Sequence, residues 1–536
     1  MLPIPARNAV LGFAGGAAIL LLGVLASSPT TASLGGGALL ALATAFAFTI
    51  PIGARLRSQR IELAWWVGHG EGSQGSTGVV AGVPFELRCF VRNGSRHGLR
   101  FTELLPVVPD GVRVLEGLGA ELWLPPRTRT ELCFRLNAVA AGRVVVQGLG
   151  VAVPGPLGLF SAPLYFPSPL TVKVLPRAAS RGGRSTRLGS GEAVERAGLT
   201  PLRRRGAGTE LHEIREHRPG DAFKSIAWKA SARAGKLLVR EVEREVQDTL
   251  ELVLDVSGSM RGGAPGERKL DHCIEVAALL ARDALERGDR VGLVTVDGRV
   301  VSQVADAEGV RHMLRIYDTL LHATEVVDAD LTHADDAAVT AIVGLYLRQQ
   351  EGIELFANGA WDLPALARHA ARALQTEPDQ PQVVASSPEH ALLRRFCRMR
   401  GLALPYRAET RGLAKASGLA QALRKAAGTG RSPRTLLLLT DLDGIGELEP
   451  LLQTLRLLSL RKHRIALVVP DAATLMPPAQ SDLETELRRV YAMQEARRLG
   501  EARKLLGALG IPVLTYDARL GEGGLLRSAA SLRRVA

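Results

Sequence analysis

The chain has 536 residues, with 67 Lys and Arg against 54 Asp and Glu, a formal net charge of +13. Hydrophobic residues make up 46% and charged residues 23%, which is typical of folded domains and excludes a largely disordered chain. Only 4% of the residues are aromatic, so the basic charge is not combined with stacking surfaces, and we expect no nucleic-acid partner.

Two apolar segments near the N-terminus predict a membrane hairpin over residues 1–58. The first, AVLGFAGGAAILLLGVLAS at residues 9–27, carries no charge and is close to the ~20 residues needed to cross hydrocarbon. The second, ALLALATAFAFTIPIGA, follows at residues 38–54. A cleaved signal peptide is the alternative for the first segment, but a second apolar segment directly after it argues against cleavage.

The basic residues around the hairpin predict its orientation. Arg7 precedes the first segment, the connecting loop carries no Lys or Arg, and three arginines follow the second segment: Arg55, Arg57 and Arg60. Because short flanks rich in Lys and Arg stay in the cytoplasm, both ends of the hairpin are expected there. The sequence therefore predicts an inner (cytoplasmic) membrane protein with two transmembrane helices, both termini and the soluble domains being cytoplasmic.

Residues 59–180 predict a β-rich domain. Short alternating runs, among them PFELRCFVRNG and GRVVVQGLGVAV, are separated by Gly, Pro and Asn turn signals. This spacing is typical of an antiparallel, immunoglobulin-like β-sandwich. A β-meander that belongs to the following domain is the alternative that the sequence leaves open.

The rest of the chain divides into a segment that begins as a linker, residues 181–248, and a domain over residues 249–536. The linker part is polar and rich in Gly, Ser and Arg. In the domain, helical stretches alternate with apolar runs of the kind expected for buried parallel strands: TLELVLDVS, RVGLVTVDG, RTLLLLTD, HRIALVVPD and IPVLTYD. The pattern predicts an α/β fold with a doubly wound, mostly parallel sheet and a helical insertion at about 330–400.

Acidic residues stand at the carboxyl ends of the strands predicted from the first and third of these apolar runs, and ligands of parallel sheets bind at such ends. Asp255 opens the sequence DVSGSM, in which Ser257 and Ser259 occupy the alternate positions, and Asp441 ends the third run. A carboxylate and two hydroxyls spaced in this way on a tight loop direct their oxygens to one spot. Hard oxygen ligands suit Mg²⁺ or Mn²⁺, so the spacing predicts a divalent-metal site.

Several motifs carry a resemblance to two known families. D-x-S-x-S after a buried strand is similar to the metal-ion-dependent adhesion site of von Willebrand factor A (vWA) domains. Upstream, RPGD at 218–221, IAWK at 226–229 and SAR at 231–233 resemble the signature of the bacterial DUF58 family. The run GPLGLF at 155–160 resembles the segment that precedes this signature there. The resemblance implies a membrane-anchored protein whose α/β domain has a vWA-like, Rossmann-like fold.

The vWA resemblance also implies metal ligands. The first Asp and both Ser of the adhesion site correspond to Asp255, Ser257 and Ser259 in this sequence. An Asp at the end of a later strand completes the set in the family, and Asp441 matches it, with Asp443 in reserve.

The sequence departs from the family at one expected ligand, a Thr in a loop before a helix. The stretch KASGLAQAL at 415–423 looks like that loop and helix but places Ser417 where Thr is usual. A Ser hydroxyl can supply the same oxygen, and Thr324 and Thr332 are weaker alternatives. The implied set for Mg²⁺ or Mn²⁺ is therefore Asp255, Ser257, Ser259, Ser417 and Asp441.

The DUF58-like signature contributes four further candidates. They are Asp221, Trp228, Lys229 and Arg233. The simple physical interpretation is structural, with a turn at Pro-Gly-Asp and Trp228 packed beneath it. A surface that docks a partner is the functional alternative.

Together, residues and resemblance predict a binding module and not an enzyme. The metal would keep an open position that an acidic protein ligand completes with an Asp or Glu. DUF58-like proteins are commonly paired with MoxR-type AAA+ ATPases, so the resemblance implies such an ATPase as partner. The alternatives are a metal-independent membrane scaffold and a metal-assisted hydrolase, which would need a general base near the metal.

Overall fold

A computed structural model describes residues 3–58, 61–68, 79–94, 98–117, 122–180, 204–218, 223, 226–244, 248–357, 359–375, 383–407, 412–428, 432–443, 449–475, 479 and 481–516. The chain forms two compact units. The first unit comprises Met1–Gly182, Gly262–Asp271 and Leu320–Glu409. The second unit comprises Gly183–Arg261, His272–Thr319 and Thr410–Ala536.

The strands and helices are numbered along the chain. The strands are β1 Ile4–Pro5, β2 Ile61–Gly68, β3 Val79–Val80, β4 Phe85–Asn93, β5 Leu99–Phe101, β6 Glu103–Val107, β7 Val112–Glu116, β8 Leu122–Leu124, β9 Arg129–Ala138, β10 Gly142–Pro154, β11 Phe160–Leu175, β12 Arg204–Glu216, β13 Leu238–Arg244, β14 Thr249–Asp255, β15 Arg290–Val296, β16 Val300–Ala307, β17 Phe356–Ala357, β18 Ala360–Trp361, β19 Thr435–Leu439, β20 Arg464–Pro470 and β21 Val513–Tyr516. The α-helices are α1 Arg7–Leu25, α2 Pro29–Ser58, α3 Trp228–Ala234, α4 Lys269–Glu286, α5 Val310–His322, α6 Asp336–Tyr346, α7 Leu363–Leu374, α8 Pro388–Arg400, α9 Gly412–Ala427, α10 Glu449–Leu460, α11 Ala472–Leu475 and α12 Asp482–Gly507.

Helices α1 and α2 form the predicted N-terminal hairpin. Both are long and apolar enough to span a membrane, with mean hydropathies of 2.0 for Arg7–Leu25 and 1.7 for Pro29–Pro51. Glycines let the two backbones approach closely, because a Cβ at Gly23 would stand 2.3 Å from the Ala32 nitrogen. Small residues at such contacts are how apolar helices pack where water provides no driving force. Large apolar side chains of both helices are exposed, among them Leu22 and Phe48.

Antiparallel sheets follow, as the alternating runs predict. One sheet has the order β2-β4-β9-β7, and another has the order β1-β11-β10-β6 with the short β3 beside β11. Of the pairings in these two sheets, the short β3–β11 pair is parallel and the others are antiparallel. Alternate residues of β4 are buried, and they share one apolar core with side chains of β10 and β11. The period-2 pattern of hydrophobicity therefore selects the inner face of each strand.

The helical stretch predicted at about 330–400 belongs to the first unit. Helices α6, α7 and α8 pack around a core of their own that includes Val343, Leu366 and Phe396. Asp362 and Ser387 begin α7 and α8 as N-caps, because their side-chain oxygens accept hydrogen bonds from Ala365 and His390 backbone N–H groups.

The second unit contains a mostly parallel sheet of six strands in the order β16-β15-β14-β19-β20-β21. All neighbours are parallel except the edge pair β15–β16. The five apolar runs predicted as strands are β14, β15, β19, β20 and β21, so the mixed α/β prediction with a mostly parallel sheet is confirmed. Apolar faces of α9, α10 and α12 cover the sheet. This arrangement leaves the carboxyl ends of β14 and β19 side by side.

Candidate functional site

The carboxyl ends of two neighbouring strands meet at the candidate site. The register pairs Leu254 of β14 with Leu439 of β19, which brings the following residues level. The Thr440 hydroxyl donates a 2.6 Å hydrogen bond to Asp255 Oδ2. Asp441, the next residue, is 5% exposed, and Asp255 is fully buried.

The loop after β14 folds over these carboxylates. The Ser257 backbone N–H donates to Asp255 Oδ1 at 2.9 Å, and the Ser257 and Ser259 hydroxyls lie 3.2 Å apart. The Ser259 hydroxyl donates to Asp441 Oδ1 at 3.0 Å. The structure thus brings together four of the five residues that the sequence assigns to the site.

Lys415, which the sequence analysis did not select, contacts three of the four. Its ammonium is 2.9 Å from Asp255 Oδ2, 2.9 Å from Asp441 Oδ1 and 2.8 Å from the Ser259 hydroxyl oxygen. The residue is 1% exposed. Burial, the largest influence, acts to lower the pKa of Lys415, but Asp255 and Asp441 outweigh it and hold that pKa above its ordinary value. The cluster is therefore an ammonium held by two carboxylates.

Helix α9 delivers Lys415 to the strand ends by packing tightly on the sheet. A Cβ at Gly418 would stand 2.2 Å from the Asp297 carbonyl oxygen, just after β15, so only glycine allows this approach. Lys415 lies in the first turn of α9, where the helix dipole disfavours a cation. The carboxylates must therefore outweigh both the dipole and the loss of water.

The other predicted ligands lie elsewhere. Ser417 is exposed on α9, and the structure does not bring it to the cluster. Asp443, the reserve candidate, forms an ion pair with Arg498, and its backbone N–H donates to Asp441 Oδ1 at 3.0 Å. The hydroxyls of the weaker alternatives, Thr324 and Thr332, donate to the carbonyl oxygens of Leu321 and Pro405.

The arrangement does not fit a bound divalent metal. The Lys415 ammonium is in contact with the oxygens of Asp255, Asp441 and Ser259 that such a metal would need. Across the described ranges, no group of three or more His, Cys, Asp or Glu side chains is placed to hold a metal ion. The oxygens predicted to coordinate a metal here accept hydrogen bonds from an ammonium.

The 2.8 Å contact between Lys415 and Ser259 has the geometry of a Ser–Lys pair, in which the lysine serves as general base. A lysine does this when its pKa is lowered, so that the amine is neutral. Asp255 and Asp441 have the opposite effect on Lys415. The raised pKa of Lys415 therefore disfavours the neutral amine that a base for Ser259 would need.

The DUF58-like signature lies on and around α3. Asp221 lies outside the described residues. Trp228 is 56% exposed, and its ring contacts the exposed ring of Phe223 at a centroid distance of 5.5 Å. Lys229 and Arg233, one turn apart on the same helix, are also exposed. The structure thus presents the described candidates to solvent and does not bury Trp228.

Ser231 fixes α3 to the neighbouring strand, a role that the sequence analysis missed. It is buried, and its hydroxyl oxygen accepts a 2.9 Å hydrogen bond from the Leu238 N–H at the start of β13. The hydroxyl also lies 3.3 Å from the Leu238 carbonyl oxygen, to which it donates. In the sequence, the signal for this contact is a small hydroxyl residue between the basic residues Lys229 and Arg233.

Comparisons with known proteins match the segment that carries these features. Residues 213–343 match the family described as "Protein of unknown function DUF58". Uncharacterized proteins of Mycobacterium bovis and Mycobacterium tuberculosis are each 31% identical over 143 residues, which is 26% of this chain and 44% of each relative. The chain thus spans less than half the length of the curated relatives it matches.

Similarity to solved structures is weak. A FixG-related protein from Vibrio parahaemolyticus has a TM-score of 0.15 and 8% identity over 21% of this chain and 95% of its own. An α2-macroglobulin fragment from Escherichia coli has a TM-score of 0.18 and 12% identity over 76% of this chain and 60% of its own. Neither similarity carries an argument about the fold. What the comparisons do establish is a DUF58 family domain at residues 213–343, which contains both the Trp228 signature and the Asp255 loop.

Proposed function

We propose that the chain is a membrane-anchored protein-interaction module, and not an enzyme, that docks its partner on the exposed face of α3. In this proposal the α/β domain is vWA-like, the antiparallel sheets form an immunoglobulin-like domain, and both lie on the cytoplasmic side of the inner membrane. Two helices of spanning length and the basic residues outside them support the membrane anchor.

The exposure of Trp228 carries this proposal. A large aromatic side chain that is 56% exposed gains little from folding, whereas it can bury a large area against a partner. Trp228 and Phe223 form one exposed aromatic contact within the segment that matches the DUF58 family. Exposed aromatic side chains that cluster in this way mark docking sites.

The charge around Trp228 indicates the chemistry of the partner. Lys229 and Arg233 are both exposed and lie one turn apart on the same helix. A helix that presents an aromatic anchor and two cations to solvent is complementary to a partner surface with an apolar pocket and acidic residues. A MoxR-type AAA+ ATPase that presents such a surface is the partner we propose, on the resemblance to DUF58-like proteins.

Binding of the candidate ATPase to the full chain in nanodiscs tests the proposal. Trp228→Ala should weaken the affinity by about 30-fold, the ~2 kcal/mol expected of an aromatic hot spot. Trp123→Ala is the matched control, because Trp123 is 60% exposed and lies in the other unit. Equal affinities for wild type and Trp228→Ala, or no binding by wild type, would exclude this docking surface and leave the membrane scaffold as the better account.

The metal-dependent form of the module stays a prediction. It requires Lys415 to leave the carboxylates and Ser417 to turn from solvent into the cluster, so that Mg²⁺ or Mn²⁺ can bind an acidic protein ligand. A metal-assisted hydrolase requires the same rearrangement and a general base in addition. The exposed aromatic surface requires neither change.

A further inference from the structure

A lysine side chain lies where the sequence predicts a metal. Asp255, Ser259 and Asp441 converge at the ends of β14 and β19, and the positive charge between them is part of the chain itself. We infer that Lys415 is a tethered cation that takes the place of the divalent metal in this adhesion-type site and closes the site to Mg²⁺ and Mn²⁺.

The hydrogen-bonding capacity of the ammonium is filled. An ammonium has three protons, and Lys415 has three oxygen acceptors at 2.8–2.9 Å. A Mg²⁺ ion bound to the same oxygens would lie about 2.1 Å from each, inside the contact distance of the ammonium nitrogen. Lysine and metal therefore exclude each other.

The neighbouring groups hold the carboxylates in position for a lysine. Asp255 accepts from the Thr440 hydroxyl and from the Ser257 N–H, so both of its oxygens have donors apart from Lys415. Asp441 Oδ1 accepts from the Ser259 hydroxyl at 3.0 Å. Because these donors belong to the strand ends and their loops, the oxygens are already fixed around a compact single charge.

Displacement of Lys415 would be costly because its side chain is almost completely buried. The side chain is buried on the face of α9 that packs on the sheet, next to Ala416 and Leu419, which are also buried. A divalent cation that entered would have to drive the ammonium into this apolar contact or unpack the helix. Mg²⁺ loses its bound waters only at a high cost in free energy. Its binding is therefore not expected to offset the cost of displacing Lys415.

A tethered cation also changes what a partner can do at this edge. A metal with an open coordination position attracts a partner's carboxylate, whereas a lysine with three acceptors offers it no vacant proton. This part of the inference rests on the proposed function and predicts that partner binding on α3 does not depend on Mg²⁺ or Mn²⁺. The metal experiment below uses no partner, so its failure and the failure of the docking proposal are separate results.

Titration of the full chain in detergent with Mn²⁺, followed by electron paramagnetic resonance, tests the inference. Wild type should show no saturable site at millimolar Mn²⁺. Lys415→Ala should gain one site with affinity at least about tenfold tighter than any wild-type binding, because two buried carboxylates are left without a cation. Lys425→Ala, which removes an exposed cation from the same helix, should behave as wild type.

Thermal unfolding gives a second measurement on the same proteins. Without metal, the second unit of Lys415→Ala should melt about 10 °C lower than wild type, and Mn²⁺ should restore most of the loss. Mn²⁺ should leave the wild-type melting temperature unchanged. A folded Lys415→Ala protein that binds no Mn²⁺ would overturn the inference.

The wild-type arm decides the matter if Lys415→Ala does not fold without a metal. Saturable Mn²⁺ binding by wild type that Asp255→Asn abolishes would overturn the inference, because it would show that metal enters with Lys415 present. Absence of wild-type binding, together with folding of Lys415→Ala only when Mn²⁺ is present, would support it.

Discussion

Among the described residues, an almost completely buried cation occurs in each of the two units, and the two cations are used differently. Arg394 in α8 of the first unit and Lys415 in α9 of the second are both 1% exposed. Arg394 donates to the backbone carbonyl oxygens of Ala334 and Val327 and to Asp336, whose side chain remains 28% exposed. Lys415 has two buried carboxylates and a hydroxyl as its acceptors.

The difference teaches how to separate a structural cation from a cation at a functional position. The planar guanidinium of Arg394 spreads its donors over loop carbonyls and so ties a helix to a loop. The ammonium of Lys415 is a point charge on oxygens that end two parallel strands, the position at which such sheets bind ligands. The same degree of burial therefore indicates a structural cation in the first unit and a cation at a functional position in the second.

Replacement of each cation by Met removes the charge and keeps most of the side-chain volume, which should sharpen this contrast. These substitutions have the largest expected effect on stability. Lys415→Met leaves two buried carboxylates facing each other and should cost about 3–5 kcal/mol of stability in the second unit. Arg394→Met leaves Asp336 with access to water, so the loss of the hydrogen bonds to the two carbonyl oxygens should dominate at about 1–3 kcal/mol. Hydrogen exchange of peptides from β19 and α8 in the full chain measures the two losses separately.

Lys425→Met is the control for loss of a positive charge, because Lys425 is exposed on the same helix as Lys415. It should change the exchange of β19 peptides by no more than about 0.5 kcal/mol. An Arg394→Met loss as large as that of Lys415→Met would break the comparison, since it would mean that burial and not the ligand set determines the cost.

The fold was largely predictable from hydropathy. Period-2 alternation identifies β4, and continuous apolar runs identify β14 and β19 because both faces of these strands are covered. The strand β16, antiparallel at the sheet edge, was not predicted. Its residues alternate between half-buried and exposed positions, so they form no apolar run. The hairpin β12–β13 was missed because its segment is highly charged.

The two carboxylates of the site were predictable from the sequence, whereas the lysine between them was not. Carboxyl ends of parallel strands meet, which places Asp255 and Asp441 together from sequence alone. The resemblance pointed to Ser417, whereas the helical spacing of apolar residues distinguishes Ser417 from Lys415. Lys415 shares its face with Leu419 and Ala422, which are buried, and Ser417 shares its face with exposed residues. A lysine on an apolar helix face was the signal, but only the packing shows which acceptors it reaches.

Moving α9 away from the sheet should loosen Lys415 without changing any charge. Gly418→Ala brings a Cβ within 2.2 Å of the Asp297 carbonyl oxygen, which is backbone and cannot turn aside. We expect a loss of about 1–3 kcal/mol in the second unit and faster exchange at α9, with α8 and Arg394 unaffected.

Gly500→Ala is the matched control for this change, because Gly500 lies within α12 and its added Cβ would meet no atom within 4 Å. There the substitution should stabilise the helix by up to about 1 kcal/mol. If Gly418→Ala is equally harmless, the close approach of α9 is not what holds Lys415 at the strand ends.

The smallest effect is expected at Ser417, and it bears most directly on the difference between lysine and metal. Ser417 is exposed within α9, so Ser417→Ala should change stability by less than about 0.5 kcal/mol, in the stabilising direction because Ala favours helix. Mn²⁺ titration and ATPase binding of the full chain should match wild type. A loss of ATPase binding in Ser417→Ala, or a difference from wild type in the Mn²⁺ titration, would mean that this hydroxyl reaches the strand ends. Lys415 would then have to leave the strand ends. The second unit would contain an exchangeable cation, in contrast to the fixed Arg394 of the first unit.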